Sequence, residues 1–253
     1  MRPGTVSGKI VGSDRVLAVL LELAEYPNGV TLDELAKQVD SPKPTIHRAL
    51  GSLRRAGLAQ QSSRGVYELG DEFVRLAYRH QEARSETVSV MPLLHQLAEK
   101  YGETAHYAVL DRPYIVYRAK VDPPTGAMRL TSTVGGRNPA YSTAVGKLLL
   151  SLEVTNAAEL DDWLGPEPLA RHTGNTITDR AALLTELRAT RERRYGIDDQ
   201  ENEVGVNCVA FPAHLPGAQP GAVSISALTH RRPLESLIVA MPSIRAMIAS
   251  YLG

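Results

Sequence analysis

Pro42-Lys43-Pro44-Thr45-Ile46-His47-Arg48-Ala49-Leu50-Gly51-Ser52-Leu53-Arg54-Arg55-Ala56-Gly57 decides how the first third of this chain is read. On a helix, at 100° per residue, Ile46, Ala49, Leu50 and Leu53 share one side. Pro44, Arg48, Gly51 and Arg55 point the other way, and Thr45 and His47 lie on the flanks. A helix with a packed back and a front of small, polar and basic residues fits the major groove of duplex DNA. Proline is tolerated in a first helical turn, where its missing N–H would have no intrahelical partner. It disfavours helical geometry at the preceding residue, which places the helix start at Lys43 or Pro44 rather than at Ser41.

Two helices are expected upstream. Ser13 can cap one that carries Val16, Leu17, Leu20, Leu21 and Leu23 and stops at Tyr26-Pro27-Asn28-Gly29. Thr31 opens the next, with Glu34 completing a capping box and Leu32, Leu35, Ala36 and Val39 facing inward. Downstream of Gly57, residues 58–61 and Val66–Leu69 read as short strands around Ser62-Ser63-Arg64-Gly65, a hairpin wing with arginine at its tip. Between Ser41 and Tyr67 stand five basic residues (Lys43, Arg48, Arg54, Arg55 and Arg64) and no acid. The whole chain balances 28 basic against 28 acidic residues, so the local excess is the informative quantity. Phosphate binding needs such an excess, because each neutralised phosphate releases condensed counterions. A helical mini-domain with a solvated basic face is the plainer alternative. The helix–turn–helix–hairpin order coinciding with the acid-free stretch favours double-stranded DNA. The candidate contacts are Lys43, Pro44, Thr45, His47, Arg48, Ser52 and Arg55 on the helix and Arg64 on the wing, preceded by a loose Gly-rich arm over residues 1–12.

At 253 residues and 43% hydrophobic, the chain is long enough for two domains. Its single cysteine, Cys208, excludes an intramolecular disulfide and a multi-cysteine zinc module, and fits a reducing cytosol. No apolar run approaches the roughly 18 residues of a membrane span. Arg15 followed by Val16 to Leu21 superficially resembles a signal peptide, but Asp14 and Glu22 interrupt it. The expectation is a cytoplasmic protein with no membrane partner. His80, His95, His106, His172, His214 and His230 show no ligand-type spacing, and no phosphate-cradling glycine motif is present. Neither metal nor cofactor is expected.

Residues 71–83 and 86–101 are helix-compatible, the second carrying Val90, Met91, Leu94, Leu97 and Ala98. Strand-like runs follow at 105–110, Tyr114–Val121, 128–133, Val206–Ala213 and Gly221–Leu228. Helices are expected at 144–152, Ala157–Leu164, 180–194 and 233–252. Strands and helices mix without βαβ regularity, so the fold class is α+β, an antiparallel sheet with helices on its faces. Ser224 and Ser226 alternate with Val223, Ile225 and Ala227 and read as the polar face of a strand. Cys208 in its apolar run reads as a buried structural thiol. Two other readings of it stay open. One is a cysteine-dependent hydrolase with His106 or His172 as base and Asp198 as orienter; the other is a thiol-based redox regulator.

Several motifs carry a family likeness. In the first part they are Thr31-Leu32-Asp33-Glu34-Leu35-Ala36, the quoted helix, Ala56-Gly57-Leu58 and Tyr67-Glu68-Leu69-Gly70. Later come Gly102-Glu103-Thr104-Ala105-His106, Val134-Gly135-Gly136-Arg137-Asn138-Pro139 and Ser142-Thr143-Ala144-Val145-Gly146-Lys147. Tyr195-Gly196-Ile197-Asp198-Asp199-Gln200-Glu201, Gly205-Val206-Asn207-Cys208-Val209-Ala210 and Ala222-Val223-Ser224-Ile225-Ser226 complete the series. In order and spacing the chain resembles bacterial transcription regulators of the IclR type. That resemblance implies a winged helix-turn-helix at 13–70, a linker helix at 71–87 and a GAF/PAS-like effector-binding domain at 88–253. It implies a regulator, repressor before activator, that binds operator DNA as a dimer or dimer of dimers. It also implies an effector, a small organic acid or aromatic metabolite, held by the backbone around Ala144 and Val145 and by Asp198, Cys208, Ser224 and Ser226. The family usually has a hydroxyl residue where this chain has Pro44, and a smaller one where it has Val145.

Overall fold

The computed structural model describes residues 12–62, 65–82, 85–123 and 130–252. The chain divides into two compact units, Met1–Arg84 and Ser85–Gly253. The expected arm, apart from Gly12, and the wing-tip Arg64 lie outside the described residues.

In the first unit, helix α1 (Ser13–Leu23) begins at Ser13 itself, with Gly12 at the cap position and no side-chain cap. Strand β1 (Val30–Thr31) leads into α2 (Leu32–Gln38), and Thr31 and Glu34 form the expected reciprocal capping box. Helix α3 (Lys43–Arg55) starts at Lys43 with Pro44 in its first turn, and it buries Ile46, Ala49, Leu50 and Leu53. These side chains meet Val19, Leu23, Leu35 and Tyr67 in one small core. Strands β2 (Ala59–Gln61) and β3 (Val66–Leu69) make the hairpin, and β1 adds to it by pairing Val30 with Tyr67. The two-residue β1 is too short to show a period of its own. Helix α4 (Asp71–Glu82) follows, with Val74 and Tyr78 exposed one turn apart. The two helix-compatible stretches 71–83 and 86–101 correspond to α4 and to α5 (Ser85–Tyr101), and the 71–87 linker implied by the resemblance spans α4 and the start of α5.

The second unit is a six-stranded antiparallel sheet in the order β6-β5-β4-β9-β8-β7. Its elements are α5 (Ser85–Tyr101), β4 (Thr104–Asp111), β5 (Tyr114–Val121), β6 (Arg137–Pro139), a 3₁₀ turn (Ala140–Ser142), α6 (Ala144–Glu153), α7 (Ala157–Leu164), α8 (Arg180–Arg193), β7 (Gly196–Asp199), β8 (Val206–Ala213), β9 (Gly221–Leu228) and α9 (Leu234–Leu252). Strand alternation sorts the side chains onto two faces. Tyr107, Val209, Phe211, Val223 and Ile225 pack against α5 and α9. Ala108, Cys208, Ala210 and Ala222 face α6 and α8. Small residues on this second face let α6 lie close to the sheet, and all of α6 from Ala144 to Ser151 is buried. A Cβ on Gly196 would stand 2.0 Å from the Ala144 carbonyl oxygen, so only glycine permits that approach.

One expected strand is not formed among its described residues. Residues 130–133, the described part of the run 128–133, pair with no strand. The Lys120 ammonium instead donates to the carbonyls of Leu130 at 3.0 Å and Ser132 at 2.7 Å, and a side chain thereby takes over the role of a ladder.

Candidate functional site

On α3, Lys43, Pro44, His47, Arg48 and Arg55 are exposed, and Thr45 and Ser52 are half-buried. Several are already engaged. Lys43 forms an ion pair with Asp33 of α2 at 2.8 Å, so the acid-free stretch of sequence is not acid-free in space. Arg55 donates to the Ser52 hydroxyl at 3.0 Å, and Arg54 to Gln61 at 3.0 Å. The Arg48 guanidinium bonds none of the described residues. It is free to meet a base edge.

In the second unit, Ala144, Val145, Asp198, Cys208, Ser224 and Ser226 all line one cavity of about 390 Å³. They come from three places more than fifty residues apart or on different strands: the start of α6, the edge strand β7 and the neighbouring strands β8 and β9. Thr143 caps α6 by accepting the Gly146 N–H at 3.0 Å. The N–H groups of Ala144 and Val145, first in the helix, have no intrahelical acceptor and carry the positive end of the helix dipole. Asp198 accepts the N–H groups of Glu201 at 2.7 Å and Asn202 at 3.3 Å. Burial raises its carboxyl to about 7. The Lys147 ammonium and these two N–H groups pull against that rise, and Glu201 adds to it. Lys147, itself buried, is ion-paired with Glu201 and reaches Glu186 at 3.6 Å. This network ties α6, α8 and the β7–β8 turn into one frame.

The serines differ from each other. Ser226 donates to the Cys208 sulfur at 3.1 Å, whereas Ser224, near enough to ease ionisation of the thiol, has no partner at hydrogen-bonding distance. Burial, with Asp198 beside it, pushes the Cys208 thiol up to about 12, so it is a poor nucleophile. His172, one of the two candidate bases, bonds Tyr141 at 3.1 Å instead. The sequence did not single out His106, Tyr117 or Ser132 as cavity residues, yet all three line it. His106 could have been found from its strand: two residues after Thr104, it falls on the face away from Ala105 and Tyr107.

A family model of the IclR helix-turn-helix domain matches residues 13–63. A second, of the bacterial transcriptional regulator IclR C-terminal part, matches residues 86–247. The chain belongs to the IclR family. It is accordingly a DNA-binding transcription regulator, and α3 lies within its helix-turn-helix domain. Among its IclR-family relatives is the DNA-binding transcriptional repressor YiaJ of Escherichia coli, 30% identical over 219 residues, 86% of this chain and 78% of YiaJ. Another is the HTH-type transcriptional regulator BhcR of Paracoccus denitrificans, 32% identical over 231 residues, 89% of this chain and 80% of BhcR. The crystal structure of an IclR homolog from Microbacterium hydrocarbonoxydans, complexed with 4-hydroxybenzoate, shares the fold. Its TM-score is 0.74 at 22% identity, over 93% of this chain and 98% of that one.

Proposed function

We propose that this regulator is a repressor whose grip on operator DNA is set by a small organic acid bound in the second-unit cavity. In this reading residues 13–70 bind DNA, 71–87 link and 88–253 sense. Lys43, Thr45, His47, Arg48, Ser52, Arg55 and Arg64 supply the DNA contacts, and Pro44 shapes the helix start. The carboxylate rests on the Ala144 and Val145 N–H groups and the Ser224 hydroxyl, while Ser226, Cys208 and Asp198 form the surrounding wall. Charge-assisted bonds of this kind are about twice as strong as neutral ones. One observation carries the reading: six positions matched by family resemblance converge on a single cavity. The 4-hydroxybenzoate bound by the Microbacterium homolog is a ligand of the proposed class.

The protein acts in the cytoplasm as a dimer or dimer of dimers. Exposed Val74 and Tyr78 on α4 and exposed Leu17 and Leu21 on α1, each pair one turn apart, supply apolar faces for a second copy. None of the described helices is long and apolar enough to cross a membrane. The raised thiol of Cys208 weighs against hydrolase and redox readings alike.

The test is a Ser224→Ala, Ser226→Ala double variant, studied by calorimetry with candidate acids and by mobility shift on the upstream DNA. Operator binding should persist and stop responding to the acid. A variant that responds normally would move the sensor elsewhere.

A further inference from the structure

Helix α9 carries almost no charge on the side it turns to solvent. It buries Leu237, Ile244 and Ile248 in the core. At 100° per residue, Ile238, Val239, Pro242, Ala246 and Ala249 point away from these three, and all five are exposed, Val239 at 81%. Of the nineteen residues of α9 only Glu235 and Arg245 are charged. A solvent-facing helix surface ordinarily carries charged and polar residues, and a contiguous apolar one marks contact with another protein surface. Alongside it, Tyr195, Met241, Pro242 and Ala249 line a hollow of about 530 Å³ that can take the side chains of a second helix. The small residues Ala246 and Ala249 let the two backbones come close.

The two charges say what the second helix is. Glu235 and Arg245 are both exposed, and neither forms an ion pair among the described residues; the Arg245 guanidinium only reaches the Arg193 carbonyl at 3.5 Å. Glu235, Ile238, Pro242, Arg245 and Ala249 follow at alternating spacings of three and four, the seam of a helix pair. When a second α9 lies antiparallel on this seam, with the two-fold axis beside Ala240, Ile238 meets Pro242 and Glu235 meets Arg245. Symmetry makes each contact twice. Centred one turn later, near Ser243, the pair would bring the two Arg245 side chains together, which like charge opposes. One acid and one base at matched distances from the axis make the face complementary to itself. A strongly acidic or basic partner finds no such match. The overlap is about 20 Å long, so it buries less than the roughly 800 Å² per partner of a stable interface. Two dimers that close on two such contacts at once compensate for the weakness of each.

We propose that α9 is the joint between dimers, pairing antiparallel with α9 of a second copy through reciprocal Glu235–Arg245 ion pairs around an Ile238–Pro242 centre. This rests on the dimer-of-dimers reading above and names the surface that reading would use. Sedimentation velocity on the full chain from about 0.1 to 100 μM tests it, because association is concentration-dependent. Wild type should pass reversibly from dimer to tetramer. Glu235→Arg and Arg245→Glu, each setting like charges face to face, should raise the midpoint of that step about tenfold or more. The double reversal restores opposite charges and should return the midpoint to within about threefold of wild type. Thermal melting of the diluted protein reports whether each variant is folded. If a reversal is not, Ile238→Gln, which adds no charge to the seam, must weaken the same step. Single variants that form tetramers like wild type overturn this inference and leave the dimer of dimers to another surface. Weak singles without rescue in the double variant overturn the antiparallel pairing. A wild type that stops at the dimer overturns the joint and leaves a dimeric regulator; one that stays monomeric overturns both readings.

Discussion

The Ser226 hydroxyl donates to the sulfur of Cys208 at 3.1 Å, across the neighbouring strands β8 and β9 on the cavity floor. The bond satisfies a hydroxyl that burial would otherwise strand, and the thiol beside it is raised to about 12, chiefly by burial. Cys208 is therefore expected to be inert. Labelling by iodoacetamide at pH 7.5, followed by mass spectrometry, should run more than about a hundredfold slower in the native protein than in urea. Hydrogen peroxide should leave DNA affinity unchanged. Rapid native labelling, or a peroxide response lost in Cys208→Ser, would restore the redox reading.

Arg48 is the arginine of α3 expected to read bases. It is exposed, lies opposite the buried stripe and is uncommitted among the described residues. Arg48→Ala should cost about 1–3 kcal/mol on the operator and relax preference at one position per half-site. Competition shifts with operator and random DNA decide it. An equal loss on both would make Arg48 a phosphate contact.

Asp198 should make effector binding pH-dependent. Its carboxyl, raised to about 7, is neutral below that pH and ionised above it. A ligand carboxylate at the start of α6 is repelled only by the ionised form, so affinity should fall as pH rises through 7, by up to about tenfold per unit for one coupled proton. The charged groups acting on Asp198 are Lys147 and Glu201, and Lys147 is committed to Glu201 and Glu186. Asp198→Asn, which keeps an oxygen for the Glu201 and Asn202 N–H groups, should flatten the profile. Calorimetry with benzoate from pH 6 to 8.5 measures it, and a flat wild-type curve would remove Asp198 from the ligand's surroundings.

Gly196→Ala should damage the sensor through its floor. The new methyl would meet the Ala144 carbonyl oxygen at 2.0 Å, forcing α6 and β7 apart. A cost of about 1–3 kcal/mol is expected, as for other overpacked sites. Thermal melting should show a lower Tm and calorimetry a weaker acid, because the Ala144 and Val145 N–H groups move. Unchanged acid affinity in a folded variant would show that the α6 start is not a contact.

How much of this was legible beforehand differs between the two units. The faces of α3 follow from a 3.6-residue period, and Ile46, Ala49, Leu50 and Leu53 are buried as that period requires. The Thr31–Glu34 capping box and the start of α3 at Lys43 are local too, set by side chains within one turn. Short elements escaped: β1, β6 and β7, of two to four residues, carry too few alternations to register. Residues 130–133 form no strand, and composition cannot reveal that Lys120 takes up the Leu130 and Ser132 carbonyls. For the sensor, resemblance named six positions that line the cavity, but the residues alone offered only a polar strand face and a buried thiol.

What the sequence by itself determined is therefore everything that depends on neighbours within a turn or a strand: helix faces, caps, alternation and the basic excess. Only the tertiary structure decided which charges are spent and which polar atoms are left over. Asp33 reaches Lys43 across two helices, Lys147 meets Glu201 from 54 residues away, and Ser226 is claimed by Cys208. Ser224 and His106 are left buried with unmet bonding capacity. Hydrogen bonding and desolvation act at a few ångströms between residues far apart in the chain, so no spacing along the sequence encodes which of two equivalent serines remains free.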